Sequence, residues 1–227
     1  MRTRIAATVA LAGLALAAAG CVSLKRTPDA RFFVLQSDVA TGAAGSSDVT
    51  PEAVVGLEKV LLPGHLMRPQ LVTWKAPNEL SVDEFLRWAE PLDDGVARVL
   101  AEDLAALLPD DQVIRRPWRA DTRTRCRVEV VLEVFGLQPD GRVLLEGRWR
   151  LLPDQGELAL VQQVVKLERG PLSGGAQGEA VTGVDAMSQL IADLSRQIAA
   201  AIRTLPPPEE AAEVEDEAVR VEDLEER

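Results

Sequence analysis

One histidine, two cysteines and no tyrosine occur in a chain of 227 residues. A zinc cage needs about four nitrogen or sulfur ligands, which these residues cannot supply. Any histidine-dependent nucleophile would have to draw on His65, in the loop string LPGHLMRPQ, where a structural role is the plainer reading. No serine sits in a G-x-S-x-G elbow: Ser173 is followed by Gly174-Gly175, but Pro171 stands where the first glycine belongs. The stretch GPLSGGAQG lacks both the GK[ST] ending of a phosphate loop and the G-x-G-x-x-G spacing of a dinucleotide fold, so it reads as a flexible connector. Asp93-Asp94 and Asp110-Asp111 fall at helix ends, and the first pair offsets a helix dipole there. No substrate-cleft signature accompanies them as it would a glycosidase pair. There is no period of 20 to 50 residues and no sustained heptad. These absences point away from an enzyme and imply no metal and no cofactor.

Long apolar runs are scarce too, apart from one at the start. Arg2 and Arg4 precede IAATVALAGLALAAAG, which ends in small residues immediately before Cys21. The order basic, apolar, small, cysteine resembles a bacterial lipoprotein signal over residues 1–20, which implies Cys21 as the lipidated new N-terminus. Ala18 stands where such signals usually carry leucine. Cleavage without lipidation is the alternative. A membrane-spanning helix is a weaker one, because the run falls short of ~20 residues and holds Gly13 and Gly20. Each buried methylene of an acyl anchor contributes ~0.8 kcal/mol, so several chains hold a protein to a bilayer almost permanently. Val22, where inner-membrane retention favours Asp, directs the expectation to the periplasmic face of the outer membrane. With Cys21 occupied by lipid, Cys126 has no disulfide partner and reads as a small buried filler.

The formal net charge of −11 is concentrated at one end. Residues 206–227 hold ten acids against two arginines, a net of −8, leaving −3 for residues 1–205. That segment reads as a solvated, disordered acidic tail, and nucleic acid is not an expected partner. Residues 21–30 read as a short tether and 31–205 as one domain, large enough for its own core.

Within that domain RFFVLQ and AVVGLEKVLL (53–62) are strand candidates, and QLVTWKAPNELSV reads as a hairpin around Ala76-Pro77-Asn78. From Leu92, apolar residues at Val96, Val99, Leu100, Leu104, Leu107 and Leu108 predict a helix ended by Pro109, with Arg98, Glu102 and Asp103 on its exposed surface. Val113-Ile114 is a brief strand. CRVEVVLEVFGL, RVLLEGRWRLL and ELALVQQVVKLE then form an antiparallel meander, the first with Val128, Val130, Leu132 and Val134 on its apolar face. A last helix carries Val184, Met187, Leu190, Ile191, Leu194, Ile198 and Ile202 on one stripe. The fold class is therefore α/β: a single sandwich domain whose mixed or largely antiparallel sheet is covered by two main amphipathic helices.

The string RWAEPLDDGV is stiff for good reason. Pro91 suits a first helical turn, Glu90 and Asp93-Asp94 supply negative charge there, and Trp88 can pack across the helix entrance, making a rigid hinge between hairpin and helix. RFFVL after the cysteine, VLLPGHLMRPQLVTW, RWAEPLDDGVARVLAEDLAALLP, GRWRLL and the closing helix together resemble the ABC-type transport auxiliary lipoproteins, the PqiC-like family, over nearly all of residues 21–205. Trp88, Glu90, Pro91 and Leu92 carry the most specific part, and Arg68-Pro69 the next. Phe32-Phe33 departs from the tyrosine common in that family's first strand.

The resemblance implies a non-enzymatic accessory of an MCE-type ABC, or paraquat-inducible-type, phospholipid transport system that supports envelope integrity. It implies a membrane held through the N-terminal lipid and an MCE-domain protein as partners, and it leaves room for a homo-oligomer. Trp88, Trp74 and Arg68 are the contact candidates, with core packing or turn bracing as the alternative for each. A regulatory lipoprotein of a cell-wall synthesis enzyme is a second reading, although its tether would be longer; an envelope hydrolase is a third.

Overall fold

The computed structural model describes residues 28–39, 51–172 and 176–206. The signal segment, Cys21, most of the tether, Ser173 and nearly all of the acidic tail lie outside the described residues.

Alternating apolar and charged side chains make the central strands. β6 (Cys126–Leu137) buries Cys126, Val128, Val130 and Leu132, while Arg127, Glu129 and Glu133 face outward. A bulge between Leu132 and Val134 then shifts the alternation by one residue. Phe135 takes the buried place that the strict pattern assigned to Val134. β7 (Val143–Leu152) pairs antiparallel with β6 and with β8 (Val161–Arg169), so the meander forms as expected. β8 starts later than the sequence pattern placed it, leaving Leu158 87% exposed in the preceding turn. The outer face carries cross-strand pairs such as Arg150 with Glu129 at 2.6 Å and Arg148 with Glu133 at 2.7 Å.

β2 (Ala53–Leu57) lies parallel to both β6 and β5 (Asp111–Arg115), giving a five-stranded mixed sheet ordered β5-β2-β6-β7-β8. Ladder pairing stops at Leu57, short of the expected Leu62. The chain nevertheless follows β6, with Glu58 N–H donating to Val128 O and Leu61 N–H to Val130 O. A second, three-stranded sheet is ordered β1-β4-β3. In it β3 (Gln70–Ala76) and β4 (Glu79–Trp88) form the expected hairpin, and β1 (Arg31–Phe33) runs parallel to β4. β4 extends to Trp88, so that tryptophan closes a strand rather than sitting in a loop hinge.

Helix α1 (Leu92–Leu107) begins after Pro91 and ends before Pro109, and α2 spans Ala176–Arg203. Their stripes meet each other and the five-stranded sheet: Val96, Val99, Leu100, Leu104, Leu190, Ile191, Leu194 and Ile198 are fully buried. The α/β sandwich with two covering helices is thus observed, in two mixed sheets rather than one. Asp103 corrects the sequence reading: instead of lying on the exposed surface of α1 it is 0% exposed. It accepts the hydroxyl of Ser37 at 2.5 Å and that of Ser195 at 3.0 Å. Desolvation raises its carboxyl above the ordinary 3.8, against the two hydroxyl hydrogen bonds. The cluster joins the N-terminal segment, α1 and α2.

Candidate docking site

Two short segments, distant in sequence, are drawn together by backbone bonds. A 3-10 turn at Gly64–Leu66 and the following Met67-Arg68-Pro69 lead into β3. Trp88 N–H donates to Pro69 O at 2.8 Å, and the next amide, Ala89, donates to Phe33 O at 2.9 Å. Arg68, Pro69, Trp88, Glu90, Pro91 and Leu92 consequently line a single cleft of about 340 Å³, together with Met67 and Asp93. Trp74, the remaining sequence candidate, is elsewhere: its ring meets His65 edge-on at a centroid distance of 5.7 Å.

The back of the cleft is core. Trp88 is 7% exposed and Leu92 4%. Glu90 faces the helix and takes Arg98 at 2.7 Å, while the same guanidinium reaches Leu35 O at 2.7 Å and Glu102 at 3.1 Å. The Glu90 carboxylate raises the Arg98 pKa, opposed by burial. Gly95 makes room for this arrangement, since a Cβ there would stand 3.1 Å from Glu90 Oε1. Glu90 therefore fastens the helix entrance to the N-terminal segment as well as contributing charge near its dipole.

The mouth differs. Met67 is 49% exposed, Arg68 is exposed, and among the described residues Arg68 has no ion-pair partner. Asp93 Oδ1 is buried and has no hydrogen-bond partner among the described residues. An apolar back with a few polar groups at its mouth makes this cleft a candidate binding surface. Sequence reading leaves Met67 and Asp93 unassigned: the first lies beside Arg68 inside a quoted string, and the second is explained by the helix dipole.

A larger groove of about 620 Å³ lies on the open sheet. Its principal charges satisfy each other. Arg116 grips Glu58 at 2.7 Å and 3.0 Å, and Arg127 adds a contact at 3.1 Å. Arg116 is the leading cause holding the Glu58 carboxyl below its ordinary value; burial opposes it and Arg127 assists. Nucleophile candidates are poorly placed. Burial pushes the Cys126 thiol up to about 12, and Ser195, though bonded to Asp103, is 0% exposed. No group of three or more His, Cys, Asp or Glu among the described residues could hold a metal ion. No helix among them is long and apolar enough to cross a membrane.

The family profile described as ABC-type transport auxiliary lipoprotein component matches residues 33–199. The chain belongs to that family. Two solved structures share the fold. A crystal structure of an uncharacterized protein is 21% identical, with a TM-score of 0.58 over 75% of this chain and 99% of that one. A Xanthomonas campestris protein is 16% identical, with a TM-score of 0.58 over 73% of this chain and 93% of that one. No curated protein matches. As an ABC transport auxiliary lipoprotein the chain is a membrane-associated component of an ABC transport system, and membership suggests a non-catalytic role. The matched region begins at Phe33 and includes the whole cleft.

Proposed function

We propose that this auxiliary lipoprotein is an adaptor on the periplasmic face of the outer membrane, anchored by acyl chains on Cys21, that receives the distal end of an MCE-domain conduit in a phospholipid transport system. Residues 31–205 act as the docking module, 1–20 as the removed signal, 21–30 as the tether and 206–227 as a solvated tail. The supporting observation is the single cleft in which Arg68-Pro69 and the W-x-E-P-L string converge. Its back is fixed by Trp88, Leu92 and the Glu90–Arg98 pair, so an apolar partner side chain meets a preformed wall. Met67 extends that wall outward, and the Arg68 guanidinium offers a charged hydrogen-bond fork to a partner carboxylate or carbonyl. Such contacts bind a protein without chemistry being done on it.

Affinity capture of the tagged full chain from detergent-solubilised envelopes tests this reading. An MCE-domain protein with its permease and ATPase should be retained by the parent and lost from a Met67→Asp, Arg68→Glu variant of equal thermal stability. Retention by that variant would remove the cleft from the interface. Recovery of the chain in inner-membrane fractions would overturn its placement.

A further inference from the structure

A second exposed surface adjoins the N-terminal tether. Phe32 is 66% exposed, Val34 41% and Val181 40%. All three line one groove of about 500 Å³ between the β1 segment and α2, with Phe33 and Val184 also in its lining. Core packing does not require them there, because the neighbouring Leu35 already fills the interior at 1% exposure. Among the described residues β1 is also an edge strand, paired with β4 on one side.

What can cover such a patch is limited by where the chain comes from. Phe32 is eleven residues after Cys21, a reach of at most ~40 Å even when fully extended. If Cys21 is acylated, the patch is confined close to the bilayer surface. Residues 22–31 carry Lys25, Arg26 and Arg31 against Asp29, a net of +2. The Arg31 guanidinium lies over the Phe33 ring at 5.3 Å, one residue along the strand from Phe32 and on its other face. Apolar side chains combined with nearby cations suit an anionic phospholipid interface, where aromatic groups enter the acyl boundary and basic groups meet phosphates. Asp38 and Asp185, also in the groove lining, make the β1 edge the favourable one to face the headgroups.

We propose that the β1 edge rests in the headgroup region of the anchoring bilayer, with Phe32 and Val34 inserted and Arg31 at the phosphate level. This fixes the orientation of the domain, beyond holding it near the membrane. It rests on the Cys21 anchor proposed above.

The test uses the acylated full chain in vesicles of phosphatidylethanolamine with a minority of phosphatidylglycerol. A nitroxide is placed at Val34→Cys or, for reference, at Val164→Cys, which is 84% exposed and on β8. Cys126 is buried with its thiol raised to about 12, so it does not compete for the label. The Val34 site should collide with a water-soluble nickel relaxer severalfold less often than the Val164 site, and with oxygen more often. Adding Phe32→Asp should restore aqueous access at Val34. Equal aqueous access at both sites overturns the proposal. So does a Val34 label shielded from nickel and oxygen alike, which would mean that protein covers the patch. Parent protein that takes up label at Cys21 is not acylated, and that result defeats the anchor reading itself.

Discussion

The two sides of the motif cleft are neighbours with opposite characters. Trp88, Glu90 and Leu92 form a wall fastened by burial and by Arg98, whereas Met67 and Arg68 project at the mouth with no ion pair holding the guanidinium among the described residues. A recognisable motif can therefore include residues that build a wall and residues that project from it into solvent. Sequence proximity does not separate them: Arg68 is adjacent to Pro69, whose carbonyl is bonded to Trp88.

The largest expected effect lies on the wall. Trp88→Ala should lower unfolding free energy by about 3 to 5 kcal/mol, as removal of a large buried side chain does. Urea titration followed by circular dichroism measures it; a change below about 1 kcal/mol would mean that the wall is not part of the cooperative core. Glu90→Ala comes next, at about 1 to 2 kcal/mol, because it removes a charge-assisted bond between groups still partly exposed to water. Gly95→Ala refines this further. With Glu90 present the added methyl competes with Oε1, but in the Glu90→Ala background it should stabilise α1 by up to about 1 kcal/mol. Equal effects in both backgrounds would show that Glu90 does not constrain Gly95.

Asp103 offers a smaller, pH-dependent comparison on the same helix. Its folded pKa is raised above 3.8, so between that ordinary value and the folded one the native state holds more protons than the unfolded chain. This residue's contribution to stability is consequently greatest at low pH and falls as pH rises through the window. Asp103→Asn should remove that component, visible as a changed slope of melting temperature against pH between parent and variant. Parallel curves would contradict the role given to its burial. Smallest of all should be the stability change of the paired Met67→Asp, Arg68→Glu substitution, within about 0.5 kcal/mol because both sites are exposed. A larger loss would turn the mouth into a second structural wall and erase the contrast.

The two helices and strands β6 and β7 were legible because each has an apolar period matching one buried face, the hairpin because two extended runs flank Ala76-Pro77-Asn78, and Pro91 and Pro109 punctuate α1. The limits of that reading are visible in single residues. Val134 follows the period but loses its buried place to Phe135 at a bulge, because an extra residue in one strand reverses the facing of all that follow. Asp103 looks solvent-facing because its hydroxyl partners, Ser37 and Ser195, are 66 and 92 residues away. The motif residues could be named in advance, yet their common cleft could not, since the Trp88–Pro69 bond joins separate segments.

By itself the sequence determined the local elements and the family, because helix and strand periods and short motifs are written in consecutive residues. Only the tertiary structure decided that the strands divide between two mixed sheets, that Asp103 is buried and that Arg68 meets the tryptophan motif. Those outcomes depend on which distant groups share space and exclude water, and burial energies act through that neighbourhood rather than through order along the chain.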